Sequence, residues 1–312
     1  FLDDNSPLDR VRLYADGGDD ADIWAGLAEL GVPALLVPEA QGGIGLNPLD
    51  AAIVAESLGA HITPSPFLGT AVMAPTALVA SGGNHDDLLA EIAAGTHRVG
   101  IAFSEAIKRR NDARVEARDS RLFGKSLFAF DADADSYLVA DQNKHLYLVA
   151  AQDPGLTRTH LTTVDKTRRT VELTYDDVAA QCISTDVGVF ERVLDIGRVA
   201  IAADTLGAAQ NMLDQAVEYA KQREQFNRPI GSFQAVKHMC AEMAAQLEPC
   251  RSMVWFAGHA LAELPEEARV TACHTKAHLA EVAQFVAKTA TEVHGGMGFT
   301  DLVGLHYWFK RC

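Results

Sequence analysis

No apolar run in this chain of 312 residues reaches the length of a membrane span, and no signal peptide is visible. Basic residues are outnumbered: 27 Lys and Arg stand against 42 Asp and Glu, for a net charge of −15. That balance argues against a general nucleic-acid or membrane-surface role, and any large anion has to be met by a local basic patch. Cysteine is sparse and odd in number. Cys182, Cys240, Cys250, Cys273 and Cys312 show no CxxC spacing, and three fall in helical patterns, which points to free thiols in a reducing cytoplasm. A Rossmann fingerprint is missing as well, because the glycine-rich stretch from Val37 to Gly45 lacks both the G-x-G-x-x-G spacing and a strand-to-helix turn. No internal repeat or low-complexity segment appears. What is present is an ordinary globular composition, 48% hydrophobic and 22% charged, in a chain long enough for two or three packed units. It begins at Phe1 rather than a Met, so its start is expected to lie upstream.

The pattern changes twice along the chain. Residues 1–96 read as helices with short breaks: Asp20 to Gly31 places Ile23, Leu27 and Leu30 on one face, and Asn47 or Asp50 starts a helix that runs through Gly59. Asp86 to Gly95 is a last short helix. Residues 97–185 carry short, partly alternating runs at Val99–Phe103, Ala113–Ala117, Leu122–Phe130, Ser136–Ala140, His145–Ala151 and Thr170–Thr174, the signature of a small antiparallel barrel or sandwich. The acidic turn Asp131–Asp135 lacks the sixth-position Gly and twelfth-position Glu of a calcium loop and reads as a solvated turn. Residues 186–312 return to helix, at roughly 187–222, 232–263, 266–294 and 301–311, as an up-and-down four-helix bundle. On its first helix Phe190, Val193, Leu194, Gly197, Ile201, Asp204 and Ala208 keep helical spacing. The expected fold is therefore α+β, in three domains.

Two stretches carry chemistry. Between the first two bundle helices the chain reads Arg223-Glu224-Gln225-Phe226-Asn227-Arg228-Pro229-Ile230-Gly231-Ser232-Phe233-Gln234. Proline and glycine break the helix there, and Ser232 is placed to cap the next one. The break offers a cation, an aromatic ring and an amide close to helix N–H groups, which suits an anion joined to a planar ring such as a dinucleotide. The same residues also fit a plain helical hairpin with a capping Ser232 and a buried Phe226. The second stretch is Glu292-Val293-His294-Gly295-Gly296-Met297-Gly298-Phe299-Thr300, whose three glycines let backbone approach a ligand closely and exceed what a helix cap needs.

The first stretch resembles the Arg-x-x-Phe-Gly-x-x-Ile turn of acyl-CoA dehydrogenases, with a Gln eight residues after the Phe; Asn227 stands where Gly is usual. The second resembles that family's Gln-x-His-Gly-Gly-x-Gly-Phe-Thr, with Glu292 in place of Gln, and Val37–Gly45 resembles its Pro-Glu-x-x-Gly-Gly-x-Gly loop. The helix–barrel–helix order matches as well. The resemblance implies FAD as cofactor and α,β-desaturation of an acyl-CoA thioester. In such enzymes both stretches reach the adenine and pyrophosphate end of a flavin held by the adjacent subunit. Carried over, the FAD contacts are Arg223, Phe226, Gln234, Glu292, Gly295 and Gly296. The Glu292 carboxylate is a poor neighbour for pyrophosphate.

The chemistry of such an enzyme needs a Glu that takes the α-proton. One family position for it lies on the first bundle helix just before an Arg, and here it is Gly197, followed by Arg198. The other lies about twenty residues beyond the Gly-Gly motif, past Cys312. Asp195 points to nearly the opposite helix face, and Asp204 sits roughly 10 Å along the axis. The family's flavin-facing Thr or Ser after Gly-x-Lys has no counterpart in Gly124–Phe130, and Glu105 is followed by Ala106-Ile107-Lys108-Arg109-Arg110 instead of Gly-Ser-Asp. That basic run is read as a solvated loop. His274, His278 and Glu281 share a helix face with metal-ligand residue types, but a surface stripe is the plainer reading. No catalytic or metal-binding residue is assigned.

The pattern resembles the smaller subunits of heteromeric (α2β2) acyl-CoA dehydrogenases of steroid side-chain breakdown. It implies a cytoplasmic partner subunit whose sister chain supplies the base, with an electron-transfer flavoprotein as acceptor. Two alternatives remain: a self-sufficient homotetramer with its base in a tail beyond Cys312, and a flavin-free scaffold.

Overall fold

The computed structural model describes residues 1–108 and 113–312. In chain order the helices are α1 (Leu2–Asn5), α2 (Leu8–Ala15), α3 (Ala21–Glu29), α4 (Pro48–Ala60), α5 (Ala74–Ala80), α6 (Asp86–Ala93), α7 (Ser104–Ile107), α8 (Val187–Gln222), α9 (Gln234–Glu263), α10 (Pro265–His294) and α11 (Leu305–Arg311). The strands are β1 (Val99–Ala102), β2 (Val115–Arg118), β3 (Arg121–Phe130), β4 (Ser136–Ala140), β5 (Leu146–Ala150), β6 (Leu156–His160), β7 (Thr170–Ala179) and β8 (Gln181–Ser184), with a two-stranded hairpin of β9 (Glu224–Gln225) and β10 (Arg228–Pro229). No described helix is long and apolar enough to cross a membrane, and all five cysteines are free.

The chain forms two compact units, each assembled from separated stretches. One comprises Asp20–Asn47 and Pro64–Gly197. Its eight-stranded sheet runs β6-β7-β3-β1-β4-β5-β8, with β2 added to β3. The pairs are antiparallel except β1 with β4. β4 is buried along its whole length because both sheet faces are covered. Leu138 and Ala140 join a core with Met73, Ile92, Phe103, Phe190 and Val193. Tyr137 and Val139 face the opposite core with Val115, Leu122, Val171 and Leu173. The period of two along one strand therefore feeds two cores, each large side chain contributing about 1.5–3 kcal/mol by burial. β6 and β8 are absent from the sequence reading. β6 shows why: only Leu156 of its five residues is buried, so an edge strand leaves no alternation to detect. β7 likewise runs five residues past the expected Thr174.

The other unit comprises Phe1–Asp19, Pro48–Thr63 and Arg198–Cys312. α9 and α10 pack antiparallel along their length, and α4 packs on α9. α4 and α8 meet backbone to backbone: a Cβ at Gly59 would lie 1.9 Å from the Asp204 carbonyl oxygen, and one at Gly207 1.9 Å from that of Glu56. Only glycine permits that approach. Leu30, expected on the core face of α3, is 60% exposed, since the helix ends at Glu29 and leaves it outside the periodic face. α11 begins at Leu305, not near 301, because Gly304 adopts a left-handed φ of 70° at its N-cap.

Candidate functional site

The break between α8 and α9 is a hairpin. β9 and β10 pair Gln225 with Arg228, so Phe226 and Asn227 form a two-residue connection with φ of 56° and 60°. Two positive φ values define the turn that matches strand twist. Asn227 tolerates that conformation, whereas Phe226 adopts it at a cost of about 1–2 kcal/mol. The consequence is a ring thrust outward, 86% exposed, which overturns the plain-hairpin reading of a buried Phe226. The hairpin base is held at Arg223, whose N–H donates to Tyr219 O at 2.8 Å and whose carbonyl accepts from Ile230 N–H at 2.7 Å. Phe233 stacks edge-on to Phe226 at 6.1 Å and lies beneath the Arg228 guanidinium at 4.0 Å. The Ser232 cap is not formed. A 3-10 turn over Ile230–Ser232 intervenes, the Ser232 hydroxyl donates back to Pro229 O at 2.7 Å, and Phe233 is the N-cap of α9. Gln234 opens α9 with its side chain exposed.

At the far end of α10 the helix stops at Gly295, with φ 58° and ψ −138°, a conformation for glycine. Its N–H donates to Glu292 O, and a 3-10 turn continues to Phe299. The three glycines differ in what surrounds them. A Cβ at Gly298 would sit 2.9 Å from Thr291 O, so internal packing demands glycine there. A Cβ at Gly295 or Gly296 would meet nothing within 4 Å. At Gly296, where φ is not positive, no contact among the described residues calls for glycine. The bare backbone faces outward.

His294 and Tyr219 bring the two stretches together. Their rings stack with centroids 4.6 Å apart and planes 30° apart. His294 is buried, its Nδ1–H donates to Ala290 O at 2.8 Å, and burial holds its pKa below the ordinary 6.5. Tyr219 stands one helical turn before Arg223, and His294 immediately precedes Gly295. Arg223, Phe226, Gln234, Glu292, Gly295 and Gly296 are all exposed. They present one cation, one carboxylate, one ring, one amide and uncovered peptide groups. Beside it lies a cavity of about 450 Å³ lined by Thr291, Gly298, Phe299, Asp301, His306, Phe309 and Lys310. Neither Tyr219 nor this cavity carries a sequence signal; a half-buried Tyr has no distinctive spacing.

At position 197, the family position for a base that lies within this chain, there is no carboxylate. Gly197 is buried on α8, and a Cβ there would lie 3.0 Å from Met73 Sδ and 3.2 Å from its Cε, so the space beside it is already filled. Asp204 is taken by Arg311, whose Nε and Nη2 donate to its two carboxylate oxygens at 3.0 and 2.6 Å, both residues being buried. In the sheet, Lys125 Nζ pairs with Glu172 at 2.7 Å, and Ser126 Oγ lies 3.2 Å from Tyr175 OH in the interior. The Leu127 N–H donates to Glu105 Oε1 at 3.0 Å, leaving Phe128 and Phe130 exposed. Arg109 and Arg110 of the basic run lie outside the described residues. The Asp131–Asp135 turn is tied to arginines: Asp133 accepts from Arg169 at 2.9 Å, and Asp135 accepts the Arg98 N–H at 2.8 Å. Burial pushes Asp131 up to about 6. His274, His278 and Glu281 are exposed along α10.

FAD can be tested against these surroundings. A cation, an amide and bare backbone match the pyrophosphate and adenine half of the dinucleotide. In the sheet, the Leu127 N–H is already bound to Glu105, and Phe128 and Phe130 are exposed beside it in sequence.

Comparison with known proteins agrees in kind. Residues 187–312 match the family model described as acyl-CoA dehydrogenase, C-terminal domain, and residues 4–96 match acyl-CoA dehydrogenase, N-terminal domain. Acyl-CoA dehydrogenase IpdE2 of Mycobacterium tuberculosis is 32% identical over 310 residues, covering 97% of this chain and 84% of that protein. Among solved structures, a variant of the Tcur3481-Tcur3483 steroid ACAD superposes with a TM-score of 0.90 at 28% identity, over 99% of this chain and 88% of the other. The ChsE4-ChsE5 complex from Mycobacterium tuberculosis follows with a TM-score of 0.88 at 26% identity, over 99% and 87%.

Proposed function

The chain belongs to the acyl-CoA dehydrogenase family, and from that premise we propose that it is a non-catalytic partner subunit that completes a flavin site seated on another chain. The family's members are FAD-dependent oxidoreductases of acyl-CoA thioesters. The observation that carries the proposal is a contrast within one polypeptide. Arg223, Phe226, Gln234 and the Gly295–Gly296 backbone are exposed, while position 197 of α8 is a glycine packed against Met73 and the nearby Asp204 is bound by Arg311. In this reading Arg223 donates a charge-assisted hydrogen bond to a phosphate, Phe226 and Gln234 meet the adenine, and the Gly295–Gly296 backbone lies against the pyrophosphate. Glu292 stands at the rim, where its charge limits how near a phosphate comes. Bound flavin supplies the hydride acceptor for desaturation. This chain's residues hold its far end and shield it from water, and the carboxylate that takes the α-proton comes from the partner.

A heteromeric assembly, α2β2 in form, and a steroid side chain as the acyl group are supported by similarity to the steroid ACAD and to the ChsE4-ChsE5 complex. An electron-transfer flavoprotein is the acceptor in the same reading. Five free cysteines fit a cytoplasmic setting. The test is co-expression with a sister dehydrogenase chain, followed by measuring flavin per protomer in wild type and Arg223→Ala. Loss of a charge-assisted bond of about 1.5–3 kcal/mol should weaken flavin retention roughly tenfold or more. Unchanged flavin content in the variant complex, or a yellow and active preparation of this chain alone, would overturn the proposal.

A further inference from the structure

The segment after the Gly295–Phe299 turn is fastened to the first part of the chain. Arg12, on α2, donates from Nη2 to the carbonyl oxygen of Asp301, 289 residues away, and to that of Leu302 at 3.4 Å. Its Nε lies 3.4 Å from Asp301 Oδ2, and its Nη1 donates to Asp9 Oδ1 at 2.7 Å, which fixes the guanidinium on its own helix. The helix is itself anchored, since Val11 and Tyr14 are buried. A second contact lies beside the first: Leu8 packs so closely on Gly304 that a Cβ there would be 2.5 Å from Leu8 Cδ2. The connection back to the turn is short. Both the N–H and the hydroxyl of Thr300 donate to Met297 O, at 3.0 and 2.8 Å. Hydrogen bonds from Arg12 to Asp301 and Leu302 and from Thr300 to Met297, joined by the peptide bond between Thr300 and Asp301, therefore connect Arg12 to the middle of the glycine turn.

We infer that Arg12 is a positioning residue for the Gly295–Phe299 turn, holding the exposed glycine backbone in the orientation that the flavin contact uses. The physical ground is that Gly295 and Gly296 have no side chains to hold them and no packed neighbour at their Cβ positions. Left alone, such a turn samples many conformations. A cation bound to two successive carbonyls removes that freedom before any ligand arrives, so less ordering entropy is lost on binding. The consequence for flavin rests on the reading proposed above; the clamp itself does not.

The test separates the two. Amide hydrogen exchange of the full chain without flavin or partner is compared for wild type, Arg12→Ala and Arg12→Lys. Arg12→Ala should speed exchange over residues 295–304 about five- to tenfold, with residues 272–290 unchanged and Arg12→Lys in between. In the complex with the sister chain, Arg12→Ala should raise the FAD concentration for half-maximal activity roughly threefold or more, with kcat at saturating FAD unchanged and Arg12→Lys again intermediate. Exchange over 295–304 identical to wild type overturns the inference, as does faster exchange throughout the bundle. Faster local exchange with an unchanged FAD requirement sustains Arg12 as the clamp and removes the flavin role of the turn instead.

Discussion

The Tyr219 ring stacks on the His294 imidazole at 4.6 Å, and through that contact two stretches some seventy residues apart present one surface. Tyr219 lies a turn ahead of the hairpin that carries Arg223 and Phe226, and His294 is the last residue before the exposed glycines. The stack is a joint between helix ends, so its removal should be felt both in stability and in whatever the surface holds.

Tyr219→Ala loses a stacked pair worth about 0.5–1.5 kcal/mol beyond its area, together with partial burial of the ring. The expected outcome is a loss of about 2 kcal/mol in urea denaturation and weaker flavin retention by the complex. Tyr219→Phe keeps the ring and should keep both properties. A stable Tyr219→Ala complex with full flavin would show that the joint does not organise the surface.

His294 sets an acid limit. Burial lowers its pKa below 6.5, so the folded chain favours the neutral ring. A depressed folded value means that full stability is present above about 6.5 and is lost as pH falls through the folded pKa, when a buried ring must accept charge. The loss of stability on going from pH 7.5 to 5.5 should be smaller in His294→Gln than in wild type, as followed by urea denaturation at the two pH values. Parallel pH profiles would remove His294 from the acid response.

The glycine turn separates folding from function by position. Gly296→Ala places a methyl in open space and should leave the Tm unchanged, yet reduce flavin retention by keeping a ligand off the backbone. Gly298→Ala drives a methyl to 2.9 Å from Thr291 O and should cost about 1–3 kcal/mol. Thermal melts and flavin content of the two variants, measured together, decide the matter. Full flavin in the Gly296→Ala complex would mean that nothing approaches that residue closely.

Much of this was legible in the chain before folding. The helical segments, most of the strands and both glycine-bearing motifs follow from short-range spacing, and so does the absence of a Glu at position 197. The misses share a cause. Ser232 has the composition of a cap, yet the 3-10 turn ahead of α9 sends its hydroxyl back to Pro229. Phe226 has the composition of a core residue, yet a two-residue hairpin turns it outward. β6 has too little burial to show a period. In each case a geometry set by a neighbouring turn or sheet edge outweighed the residue's own preference.

By itself, the sequence determined the order of elements, the family and the glycine that stands at position 197 of α8 in place of a Glu, because these depend on residue type and on spacing within a few turns. Only the tertiary structure decided that Met73 fills the space beside Gly197, that Arg311 claims Asp204, and that Arg12 reaches Asp301. Those contacts join residues far apart in the chain, and close packing across helices, which no local period encodes, selects them.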